Sequence, residues 1–334
     1  MEQEVYDRCR NHAAFVRRET RGLLRISGED RAGWLSNLVT NVLTTLNPGE
    51  GNYAFVVNVK GRTQFDLNIL VRPDCLLLDI DRRWIESAAK FLHRYIVVER
   101  VEIRDETNSI RRAAIIGPRA HEAVERLGLG NLTPMAWLQN VDADWDGSPV
   151  LMFRHDFTGQ PGAEFVAFGA RAPEVIDRVR AAVASIGGIE IDTSMADTLR
   201  IEAGIPASVE DIDEEVIPPE TGQIERGISY HKGCYLGQEV IERMRSHGVL
   251  ARMLVGVKFD AAASADLRPL PRSTPLHVGE TEVGRTMSSC ISPALNRAAL
   301  SLAYVKSAQA RPGTRLTART ADGDITGEVV KLPL

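Results

Sequence analysis

The segment HKGCYLGQE, from His231 to Glu239, concentrates chemistry-bearing residue types. A helical period starts after Leu236, with Val240, Ile241 and Met244 on one face, Gly248 as a stop, and Glu239 paired with Arg243 at i, i+4. Cys234 therefore stands just ahead of a helix N-terminus, beside Lys232 and in a loop with two glycines. A positive helix end and a neighbouring ammonium both favour thiolate, so a reactive cysteine is expected here. The competing reading is a glycine turn that holds a small buried thiol. Asp66 is a second candidate. Phe65, Leu67, Ile69 and Val71 alternate with Gln64, Asp66 and Asn68, which puts Asp66 on the polar face of a strand. That face is either functional or simply solvated.

Other polar groups point to less. Cys9, Cys75, Cys234 and Cys290 form no C-x-x-C pair and have no nearby His at ligand spacing, so neither a disulfide framework nor a structural zinc is expected. His12, His93, His121, His155, His231, His247 and His277 form no local ligand set, and no metal site is expected. Gly159 to Gly162 reads as a turn, because no Lys-Ser/Thr follows it as a phosphate loop requires. The acidic run Glu210 to Glu215 reads as a solvated loop.

The elements that must position these residues are mixed. Tyr53 to Val59 and Thr63 to Val71 read as a hairpin about Lys60-Gly61-Arg62, and Cys75 to Ile80 as a third strand, a meander that argues against a parallel doubly wound sheet. Asp30 caps a helix bearing Trp34, Leu35 and Leu38, and Asp81 one bearing Trp84, Ala88, Phe91, Leu92 and Tyr95. Pro118 and Pro173 open two more, the latter stopped by Gly187-Gly188. From about Leu254 the character changes. Phe259 to Pro275 reads as a loop, and short strands follow at 276–278, 300–304, 315–319 and 327–332 with no helix, which predicts a small β-barrel or sandwich.

The 334 residues allow two or three domains, and 44% hydrophobic with 25% charged residues is the balance of a globular chain. A net charge of −5 argues against a protein that holds nucleic acid by neutralising phosphates. No apolar run approaches the roughly 20 residues of a membrane span. The charged N-terminus MEQEVYDRCRNH predicts no secretory signal, and a cytoplasmic protein is expected.

K-G-C-Y-x-G-Q-E, Lys232 to Glu239, resembles the signature of the YgfZ-type folate-binding proteins, relatives of the glycine-cleavage T-protein, the aminomethyltransferase. The likeness extends to LLRISGEDRAGWLSNLVTNVLTTLNPGEGNYAFVVNVKGR, to DTLRIEAGIP at 197–206 and to VGRTMSSCISPALNRAALSLAYV at 283–305. It implies an α+β, T-protein-like fold. Two interwoven antiparallel-sheet and helix subdomains would span residues 6–245 and a C-terminal β-barrel residues 250–334, arranged as a ring around tetrahydrofolate or a one-carbon derivative. It further implies a monomeric folate-binding accessory protein that supports iron–sulfur cluster assembly or repair and, through cluster enzymes, tRNA modification. Its partners would be iron–sulfur proteins or the assembly machinery. The alternative is an aminomethyltransferase or another tetrahydrofolate-dependent C1-transfer enzyme.

Residue by residue, the resemblance implies that Glu202 bridges the pterin edge with two hydrogen bonds. It implies that Asp66 positions the folate amine and that Arg245 approaches the anionic tail. Asp79 stands where T-proteins carry an Asn facing the pterin, and Lys232, Tyr235 and Gln238 complete the candidate folate set. Cys234 and Asp66 are the candidate catalytic groups. Ala207-Ser208-Val209 departs from the family's basic or aromatic residue and Gly, which tells against a fully equipped transferase site. T-proteins lack the Cys234 equivalent, which ranks the accessory role first.

Overall fold

The computed structural model describes residues 2–248, 250–260 and 268–334. The first sheet has five strands in the order Gly51–Val57, Thr63–Val71, Cys75–Asp81, Arg21–Ser27 and Glu102–Asp105, all antiparallel. Phe65, Leu67, Ile69 and Val71 pack with Leu35, Phe91 and Leu92 beneath the helices Arg31–Ser36 and Ile85–His93. Burying side chains of this kind contributes about 1.5–3 kcal/mol each. The opposite face carries Asp66, Asn68 and Asp79, and all three are buried. This polar face is not solvated, because a second sheet lies against it.

The second sheet has six strands in the order Ile189–Ile191, Ala14–Arg17, Ile110–Ile116, Gly162–Phe168, Pro149–Arg154 and Asn140–Asp144. Ala14–Arg17 precedes the first sheet in sequence yet pairs here, parallel to Ile189–Ile191 and antiparallel to Ile110–Ile116. That strand interweaves the two halves as expected. Leu151, Phe153 and Val166 of the second sheet meet Leu23, Phe55 and Leu77 of the first in a shared core. The helices Ala120–Arg126 and Ala172–Ser185 cover its other face.

The C-terminal part is a closed barrel of six strands: Arg252–Phe259, Ala298–Lys306, Thr281–Ser292, Pro275–Val278, Arg315–Thr320 and Gly323–Val330. The sequence reading misses Arg252–Phe259 and Thr281–Ser292. In the latter a register shift between Thr286 and Ser289 breaks the alternation that marks a strand. Of the expected loop 259–275, residues 261–267 lie outside the described residues.

Local signals hold with small shifts. Asp81 accepts a hydrogen bond from the Arg83 N–H at 2.9 Å, capping a short 3-10 turn that leads into Ile85–His93. Asp30 caps nothing, since its carboxylate accepts from the Arg100 N–H instead. The helix expected after Leu236 runs Gln238–His247 and is preceded by Gly237 at φ +78°. A Cβ at Gly237 would lie 2.3 Å from the Asn58 carbonyl oxygen, so this turn requires glycine.

Candidate functional site

The inner faces of the two sheets, the helix Thr193–Glu202 and residues 205–210 enclose a cleft of about 550 Å³, well within the size of small-molecule sites. Asp66 lies at its floor. Tyr53 donates its hydroxyl to Asp66 Oδ2 at 2.8 Å, and Ser208 donates to Oδ1. Burial pushes the Asp66 pKa above the usual carboxylate value, against the opposing pull of Ser208, Arg21 and Tyr53. A carboxylate shifted this way takes up a proton more readily than an exposed one.

The walls are aromatic and cationic. Tyr53 and Trp137 pack edge to face at 6.2 Å, and His155 and Phe157 continue the lining. Arg226 stacks on both Tyr53 and Trp137, 5.1 Å from each ring centroid, and its buried Nε has no partner among the described residues. An aromatic wall beside an unsatisfied donor suits a flat, hydrogen-bonding heterocycle. Trp137, His155, Arg226 and Ser208 were not identified from sequence as site residues. They come from separate segments, and no local pattern joins them.

Behind the cleft a buried ion network ties the sheets together. Arg112 bridges Asp79 Oδ1 at 2.5 Å on the first sheet and Glu164 Oε2 at 2.8 Å on the second. Arg21 also pairs with Asp79 at 3.0 Å, Arg18 pairs with Glu164 at 3.1 Å, and Asn68 donates to Asp79 at 2.7 Å. Burial opposes ionisation of Asp79, yet the Arg112 and Arg21 guanidiniums outweigh it and hold its pKa below the usual range. Burial lowers the pKa of His155, whose Nδ1 lies 2.9 Å from Glu164. The neutral ring then donates from Nδ1 and keeps Nε2 as an acceptor.

The other sequence candidates lie apart from the cleft. Asp79 belongs to the network and does not line it. Glu202 is buried against the barrel: Tyr6 donates to its Oε2 at 2.7 Å, and Ser292 Oγ and the Ala294 N–H donate to Oε1 at 2.6 and 3.2 Å. Both oxygens are occupied, so the double hydrogen bond expected to a pterin edge is not available there. Glu202→Ala would strand two buried hydroxyls at about 1–3 kcal/mol each. Urea unfolding is expected to show that loss, with ligand affinity in the cleft unchanged.

Arg245 pairs with Glu242 at 3.5 Å and stacks on Tyr230 at 4.4 Å, outside the cleft. Lys232 donates to the carbonyls of Ser36, Val39 and Asn41 at 2.5, 2.6 and 3.1 Å, so it clamps the end of the Arg31–Ser36 helix. Burial lowers the Lys232 pKa to about 8. Tyr235 is buried in the core between the sheets, and Gln238 accepts from the Tyr235 N–H at 3.3 Å. Cys234 is exposed, whereas Cys9, Cys75 and Cys290 are buried. Burial pushes those thiols up to about 11, 11 and 12. At neutral pH iodoacetamide is expected to modify Cys234 at least about tenfold faster than the others. Peptide mapping reads this directly.

The acidic run is solvated only at Glu214 and Glu215, and its first half is a joint. Asp211 is fully buried and accepts from Arg200 Nη1, the Ala207 N–H and the Ser288 N–H and Oγ at 2.8 to 2.9 Å. Asp213 pairs with Arg272 at 2.6 Å and Arg285 at 3.5 Å, and Glu210 pairs with Arg83. Asp211 and Asp213 fasten the cleft rim to the barrel, and Glu210 ties it to the end of the first sheet.

The chain matches the model of the GCVT N-terminal domain over residues 1–229 and that of the glycine cleavage T-protein C-terminal barrel domain over residues 252–334. It is 27% identical to an aminomethyltransferase of Halothermothrix orenii, over 99% of this chain and 90% of that protein. It is 30% identical to an aminomethyltransferase of Rubrobacter xylanophilus, over 85% of this chain and 73% of that protein. The crystal structure of glycine cleavage system aminomethyltransferase T from Bartonella henselae superposes with a TM-score of 0.86 at 18% identity, over 99% of this chain and 89% of that one.

Proposed function

This chain belongs to the glycine cleavage T-protein family, and from that premise we propose that it binds tetrahydrofolate or a one-carbon derivative in the Asp66 cleft. The family uses tetrahydrofolate as substrate or cofactor. The observation that carries the reading is the buried Asp66 carboxylate on the floor of a cleft walled by Tyr53, Trp137, Phe157 and Arg226. Aromatic faces suit a planar ring, the unpartnered Arg226 Nε suits a ring acceptor, and Asp66 suits a secondary amine. Tetrahydrofolate, when bound, supplies amine nitrogens that carry a one-carbon unit. Asp66 would orient such an amine and hold or release its proton, with Tyr53 and Ser208 keeping the carboxylate in place. Calorimetric titration with tetrahydrofolate and its formyl and methylene forms tests this. Saturable binding that Asp66→Asn weakens supports the reading, and no binding of any form ends it.

A second reading is favoured by Cys234, the exposed cysteine of the chain, in the motif that resembles the YgfZ-type signature. The protein would then be a folate-binding accessory factor for iron–sulfur cluster assembly or repair and, through cluster enzymes, for tRNA modification. Lys232 spends its ammonium on backbone carbonyls, so exposure and not that charge is what equips Cys234. Cys234→Ala should fold and bind folate normally but fail to restore iron–sulfur enzyme activities in cells lacking the protein. Turnover of an aminomethylated lipoyl carrier would favour the transferase role instead.

A further inference from the structure

A second cavity of about 300 Å³ adjoins the cleft and shares Arg18, Glu19, Arg21 and Arg82 with it. Beyond that shared edge it is lined by Thr107, Asn108, Arg111 and Arg112. Five guanidiniums thus converge on it: Arg18, Arg21 and Arg112 from the buried ion network, and Arg82 and Arg111 from the surface. The three network cations share only two carboxylates, Asp79 and Glu164. Arg82 and Arg111 are not neutralised. Arg82 donates to Asn108 Oδ1 at 2.7 Å and Arg111 to the Ile110 carbonyl at 2.8 Å, and neither has a carboxylate partner among the described residues. Glu19 is the one acidic residue in the lining.

Crowded cations in a concave, low-dielectric wall focus a positive potential. Planar guanidinium forks recognise carboxylate and phosphate groups through paired hydrogen bonds. We propose that this annex is an oxyanion site for a ligand bearing two or more carboxylate or phosphate groups, held by Arg82 and Arg111 and oriented by Thr107 and Asn108. Asn108 fixes the Arg82 fork, so the site is partly organised before the anion arrives. Its position beside the cleft lets a small anion sit there while the cleft is occupied.

Calorimetric titration of the full chain with tri-γ-glutamate and with tripolyphosphate tests this and separates the two sources of charge. At least one probe is expected to bind, more weakly as salt rises, and the probe that binds identifies carboxylate or phosphate as the cognate chemistry. The double variant Arg82→Gln/Arg111→Gln should weaken binding by about tenfold or more, whereas Arg226→Gln in the neighbouring cleft should leave it unchanged. Arg111→Gln alone, at an exposed position, should give an intermediate loss and serves if the double variant does not fold. Heat from neither probe overturns the proposal. So does a loss that follows Arg226 and not Arg82 and Arg111, because it moves the anion into the cleft.

Discussion

Replacing Arg112 by Met is expected to destabilise the protein by about 3–5 kcal/mol, the usual cost of removing one partner from a buried ion network. Arg112 is almost fully buried and is the one side chain in the network that bonds carboxylates of both sheets. Met replaces its volume but leaves Asp79 and Glu164 with weakened compensation in a site that water does not reach. Asp79 and Glu164 have depressed pKa values, so each contributes stability above the unfolded carboxylate range and loses it as pH falls. The gap between wild type and Arg112→Met should therefore be widest near neutral pH and narrow on acidification. Urea midpoints across pH measure this, and a variant within about 1 kcal/mol of wild type at pH 7 would show that the network is energetically neutral. Arg112→Lys, with one charge and no fork, should fall between.

Asp66→Asn should move stability and binding in opposite directions. A hydrogen bond to a charged group is worth about 1.5–3 kcal/mol, so affinity for tetrahydrofolate should fall by about tenfold to a hundredfold. Burial raises the Asp66 pKa in the folded state above its unfolded value. The stability linked to this group is present below the unfolded pKa and is lost as pH rises through the folded one. Above the unfolded pKa the buried carboxylate is therefore a burden, and the amide should raise the thermal midpoint there, with the gain fading on acidification. Calorimetry and thermal unfolding on one preparation check both halves. A variant that loses stability as well as affinity would mean that Asp66 is structural.

What was legible in the sequence was local. The alternation from Phe65 to Val71 named a strand, and it separated Asp66 and Asn68 from the core-facing residues. Pro173 and Gly187 bracketed a helix, and the spacing after Leu236 located another to within two residues. These follow from backbone geometry, which acts over a few residues. The second sheet was poorly visible because its central strands are covered on both sides. Ala113-Ala114-Ile115-Ile116 and Val150-Leu151-Met152-Phe153 are continuous apolar runs with no alternation to read.

Motif resemblance located the family but not the cleft. Only tertiary structure decided that Tyr53, Trp137, His155, Ser208 and Arg226 surround Asp66, that Glu202 is locked by Tyr6 and Ser292, and that Lys232 serves the chain's own carbonyls. The physical reason is partner choice. A carboxylate reads the same in sequence whether it faces a ligand, an arginine or a tyrosine. Which of these it meets depends on how two sheets and a barrel pack across separations of a hundred residues or more, as between Asp66 and Ser208, 142 positions apart.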